Sequence, residues 1–150
     1  MSRELVPLRV PSGWAVIFNI FVEIPDRADL AAQEIDSFLT EDILSIEQLR
    51  LAGPHWETDP EGTLIDLSWS DSGSIDGEYV LTVVPTGWDG PTATLRDDDQ
   101  ELIRTAIELV FTEVRAGRTT AELTVSLQQL TQQWNVHAAA AQHTPPRRHE

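Results

Sequence analysis

Between Thr63 and Trp69 the chain sets Ile65, Leu67 and Trp69 on one side and Asp66 and Ser68 on the other. This is the period-two alternation of a half-buried strand. Tyr79 to Val84 is a second β-rich run, and the stretch from Asp71 to Gly77 between them is built of Asp, Ser and Gly around Ile75. Such a stretch closes a hairpin. A hairpin with one apolar face is not stable alone, so the rest of the chain must supply neighbouring strands and a cover.

The cover is written toward the C-terminus. Ile103, Ile107, Val110 and Val114, with Leu102, Ala106 and Phe111 beside them, recur at helical spacing. Asp98 followed by Glu101 has the spacing of a capping box, Asp97 to Asp99 suit the positive end of a helix, and Gly117 stands where the helix must stop. A second helix starts near Thr120 and carries Leu123, Leu127, Leu130 and Trp134 along one side.

Toward the N-terminus, Pro7 and Pro11 imply an extended lead-in. Large apolar residues at every even position from Trp14 to Ile24 then predict a central or largely buried strand. Asp29 is the expected cap of a helix over Leu30 to Leu39. Glu41 to Leu51 fits a short helix or a strand equally, and Thr92 to Arg96 reads as a short strand. The expectation is an α+β fold: an antiparallel sheet of about four strands packed against helices, two of them C-terminal. One domain spans residues 1–137, and 138–150, Ala-rich and then Pro- and Arg-rich, form a mobile tail.

Charge narrows the function. The chain has no Cys and no Lys, and its 25 acidic residues against 10 Arg give a net charge of −15. From His55 to Glu101 one Arg faces twelve acids, whereas from Leu102 onward five Arg face four. A field of this sign disfavours nucleic acid and anionic membranes. The longest apolar segment, Trp14 to Val22, is too short to span a bilayer. The absence of Cys removes disulfides and thiolate chemistry, so a cytoplasmic location is expected.

No catalytic constellation emerges. His55, His137, His143 and His149 stand in no metal-ligand spacing, and three of them fall in or near the tail. Asp71, Asp76 and Glu78 suggest hard oxygen ligands, but Gly73 and Ile75 occupy positions where a calcium loop needs Asp or Asn. Asp66 is the one acid inside an apolar strand, and its place beside Ser68 predicts the wetter face. Neither a nucleophile elbow nor a phosphate-binding glycine loop is present. The reading is a non-enzyme without cofactor or metal. What remains is binding: Trp56, Glu57, Asp59, Glu61, Asp71, Asp76, Glu78, Trp88 and Asp89 combine aromatic anchors with carboxylates, as a binder of a basic protein would.

Arg9-Val10-Pro11-Ser12-Gly13-Trp14 running into Val16 and Phe18-Asn19 resembles small bacterial immunity proteins of polymorphic-toxin systems. So do Phe38-Leu39-Thr40-Glu41-Asp42, Ile65-Asp66-Leu67-Ser68-Trp69 and Asp76-Gly77-Glu78-Tyr79. The resemblance implies a cytoplasmic protein that blocks a cognate toxin by binding it. It covers the first two-thirds of the chain and assigns no contact residue. Two other readings compete. One is an adaptor or regulatory subunit that docks a partner, or a second copy as a homodimer, through Leu123, Leu127, Leu130 and Trp134. The other is a small enzyme using Asp66 or Asp97 to Asp99.

Overall fold

A computed structural model describes residues 3–84 and 91–142. The alternations predicted around the hairpin become rows of side chains running across an antiparallel sheet. The strands are β1 (Trp14–Asn19), β2 (Leu44–Ala52), β3 (His55–Thr58), β4 (Leu64–Trp69), β5 (Tyr79–Val84) and β6 (Ala93–Asp97). They are ordered β1-β2-β4-β5-β6, with β3 paired to the outer part of β2. Directly opposed residues share a face. One face therefore carries the row Val16, Ile46, Ile65, Val83, Ala93 and the row Asn19, Leu44, Leu67, Leu81, Leu95. Apart from the β1 members, all of these are buried. The opposite face carries Phe18, Ser45, Asp66, Thr82 and Thr94. Among the described elements, the helices pack on the first face.

The cover consists of α2 (Gln100–Arg115) and α3 (Thr120–Gln142), preceded by a short α1 (Ala32–Phe38). Leu102, Ile103, Ala106, Ile107, Val110 and Phe111 of α2 are buried, as its spacing predicts. Gly117, at φ 75°, ends that helix. The amides of Gly117 and Arg118 donate back to the carbonyls of Val114 and Glu113, a closure that needs a left-handed residue. A reciprocal pair opens α3: Glu122 N–H donates to Thr119 Oγ1, and Thr119 N–H donates to Glu122 Oε1. α3 then lies against both α2 and β6, burying Leu123 and Leu127.

Four expectations are corrected. The strand expected to be central lies at the sheet edge, where Val16, Ile17 and Phe18 are 42%, 57% and 44% exposed. On the helix face, α2 and α3 lie mainly over β5 and β6, α2 meeting β1 at Trp14, whereas Phe18 lies on the opposite face. A bulge between Val16 and Phe18 breaks the alternation, and the regular strand stops at Asn19, before the buried Phe21, Val22 and Ile24. Second, Asp29 does not cap a helix. Asp26 accepts from Ala28 N–H and caps a 3-10 turn over Arg27–Asp29, and α1 begins only at Ala32. Third, the cap of α2 is Asp99 rather than Asp98, accepting from the amides of Glu101 and Leu102. Fourth, the sheet has six strands. From Leu44 onward the undecided Glu41 to Leu51 segment is strand β2, and His55–Thr58 pairs back onto its end as β3. α3 continues past His137 to Gln142, and 143–150 lie outside the described residues.

Candidate functional site

Strand β2 outruns its neighbour β4. Leu44 to Glu47 pair with β4, whereas Leu49 to Ala52 pair with β3, so the end of β2 and all of β3 form a two-stranded arm. Gly53, at φ 64°, and Pro54 make its tip, the glycine-first order of a tight hairpin turn. Every residue of β3 is exposed. Leu51 and Trp56 are direct partners across the arm and are 61% and 53% exposed, so they present one continuous apolar patch. The patch neighbours the N-terminal end of β1, because the Trp56 ring lies 3.9 Å from where a Cβ on Gly13 would stand.

Carboxylates lie on the other face of the arm and at its base. Glu57 lies on β3 and is paired with Arg50 at 2.9 Å. Glu47 accepts from Thr58 Oγ1 at 3.1 Å. Asp59 folds the turn into β4, its carboxylate accepting the amide of Glu61 at 3.0 Å. The turn leaves Glu61 exposed. Trp56, Glu57, Asp59 and Glu61 therefore belong to the arm and its base, with Glu57 on the face opposite Trp56.

Asp71, Asp76 and Glu78 are not part of that group. They lie on the β4–β5 loop at the opposite end of β4, which is six residues long, or roughly 17 Å at the usual strand rise. That loop is shaped around Trp69, whose indole N–H donates to the carbonyl of Ser74 at 2.8 Å. Glu78 is engaged by Arg96 at 3.0 Å. Trp88 and Asp89 lie outside the described residues. Sequence reasoning passed over Leu51 and the β1 residues Val16, Ile17 and Phe18 as surface. The only available signal was an apolar residue facing Trp56 across Gly53-Pro54.

The groups considered for catalysis have structural surroundings. Asp66 sits half-buried on the open face between Ser45 and Thr82. Burial raises its pKa above the ordinary carboxylate value, and Asp42 adds to the effect. Asp97 is raised as well, chiefly by burial. Asp98 pairs with Arg27, and Asp99 accepts the Trp134 indole N–H at 2.8 Å. Neither Asp66 nor the Asp97 to Asp99 run lines any of the cavities described. Among the described residues, no three His, Asp or Glu side chains converge as metal ligands, and no helix is long and apolar enough to cross a membrane. The proposed stripe on α3 is turned inward: Leu123 and Leu127 are buried, and Leu130 packs against the same core.

Comparison with protein-family models, with curated proteins and with solved structures finds no match to this chain.

Proposed function

We propose that this chain is an inhibitor of the immunity type, which binds and neutralises a cognate, basic bacterial toxin through the β2–β3 arm and the carboxylates around it. The observation that carries the reading is the exposed Leu51–Trp56 pair on an arm that bears Glu57 on its other face and has Glu47, Asp59 and Glu61 at its base. A large exposed aromatic on an element that also carries carboxylates has the composition of an interface anchor. The surrounding field, part of a net −15, would draw in a cationic protein and compete with any polyanion that protein acts on. The resemblance of the first two-thirds of the chain to immunity-type proteins points the same way. The C-terminal docking alternative loses its support, because its leucine stripe is used inside the molecule.

The test uses the full chain immobilised beside its Leu51→Ser/Trp56→Ala variant, with lysate from the producing cell passed over both at low salt. The parent is expected to retain a basic protein that salt releases and that is toxic on its own and harmless with the parent. The variant is expected to bind it at least about tenfold more weakly. Equal retention by both chains removes the arm as the docking surface, and a retained protein whose toxicity persists in the complex removes neutralisation.

A further inference from the structure

Six arginines of the described chain have a carboxylate partner: Arg3, Arg27, Arg50, Arg96, Arg104 and Arg118. Arg9 and Arg115 have none among the described residues. In a molecule with 25 acids this is unusual on electrostatic grounds alone, and the two share a location. Both line a groove between the N-terminal lead-in and the C-terminal half of α2. The groove continues into a second lobe reaching β2, with Pro11, Phe111 and Arg115 common to both lobes. The lobes measure about 350 and 510 Å³, within the range of small-molecule sites.

The walls are apolar and aromatic. Trp14 meets Phe111 edge-on at 4.9 Å, and Val10, Leu49 and Val114 extend the surface on either side. The wall is tied to the sheet by the Leu49 amide donating to the Gly13 carbonyl at 2.7 Å. Glu108 is the one carboxylate lining the two lobes. It is already engaged, accepting from Arg104 Nη1 at 3.1 Å and from the Arg9 backbone amide at 3.3 Å. It forms an ion pair with Arg104 and none with either guanidinium group of the groove.

We propose that this groove binds a small organic carboxylate, its apolar body lying against Trp14 and Phe111 and its charge paired with Arg9 and Arg115. The guanidinium fork matches a carboxylate in shape and donor geometry. A single negative charge also fits the molecule better than a polyanion, which the overall field of −15 would repel. The second lobe borders the base of the arm through Gly13 and Leu49, but the two arginines lie outside the arm and the site's existence does not depend on a toxin partner.

Calorimetric titration of the full chain with 2-naphthoate, and with neutral 2-naphthamide as its uncharged counterpart, tests the assignment. Naphthoate is expected to bind saturably at one site and naphthamide at least about tenfold more weakly. Arg9→Gln/Arg115→Gln should lose at least about tenfold in naphthoate affinity, whereas Arg96→Gln, which breaks the remote pair with Glu78, should keep the parent value. Both substituted groove arginines are exposed, so thermal unfolding should confirm a folded double variant. Equal affinity for the two compounds, an unchanged double variant, or no saturable heat with naphthoate overturns the proposal. So does a double variant that loses thermal stability but not affinity, because Arg115 would then serve only the C-terminal end of α2.

Discussion

Gln100 stands in the first turn of α2 and ties three parts of the molecule together. Its amide donates to the Val22 carbonyl at 2.6 Å and to the Tyr79 hydroxyl at 2.8 Å, and its carbonyl accepts the Ile24 amide at 3.1 Å. Tyr79 is buried, which raises its pKa, and it packs edge-on against both Phe21 and Trp69. Gln100→Ala leaves these groups without their partner, and a buried polar group stripped of its hydrogen bond costs far more than an exposed one. Urea unfolding should show a loss of about 2–4 kcal/mol with an unchanged slope; a loss typical of a surface glutamine would mean the three bonds do not hold the helix to the sheet. Nothing in the sequence distinguishes Gln100 from an ordinary polar residue at a helix start. The cap was misread for a related reason: Asp97, Asp98 and Asp99 have the same chemistry, and only the path of the chain selects Asp99.

Elements were legible where a strong periodicity agreed with the final packing. The α2 stripe and the β4–β5 hairpin are of this kind, because each buries its apolar side against a neighbour close in sequence. β1 was misplaced because a run of large apolar residues signals hydrophobicity but not which elements will cover it, and α2 and α3 lie mainly over β5 and β6. β3 was missed because four exposed residues carry no burial pattern at all. The edge position of β1 has a direct consequence. Ile17→Lys should change stability by no more than about 0.5 kcal/mol, whereas Ile46→Ala, in the buried row of the adjacent strand, should cost about 2–5 kcal/mol. A strand buried on both faces would reverse that ranking, since a lysine there has no water to reach. The same exposure leaves apolar surface on both the arm and β1. It also explains why the strand-level error concealed part of the candidate site.

At the scale of the whole molecule, opposing titrations and a net negative field set the stability profile. Asp66 and Asp97 have raised pKa values, so their contribution is fully present below the ordinary carboxylate value of 3.8 and is lost as pH rises through their folded-state values. Glu34 and Glu122 are lowered, the first mainly by Arg3 and the second mainly by the Thr119 amide. Their contribution is present above the ordinary value of 4.5 and is lost as pH falls through their lowered values. The net charge of −15 adds self-repulsion at neutral pH, and this weakens as the pI of 4.4 is approached. The first and third effects both favour mildly acidic solution, and the second opposes them only at lower pH. The melting temperature should therefore be higher near about pH 5.5 than near about pH 7.5. Added salt should raise it more at the higher pH, where there is more repulsion to screen. Asp66→Asn separates the local term from the global one: it should raise the melting temperature at neutral pH, and the gain should vanish as pH falls through the raised Asp66 value. A parent chain that grows steadily more stable toward neutral pH, with an Asp66→Asn variant that tracks it at a constant offset, would mean that neither burial of Asp66 nor the collective charge limits this fold.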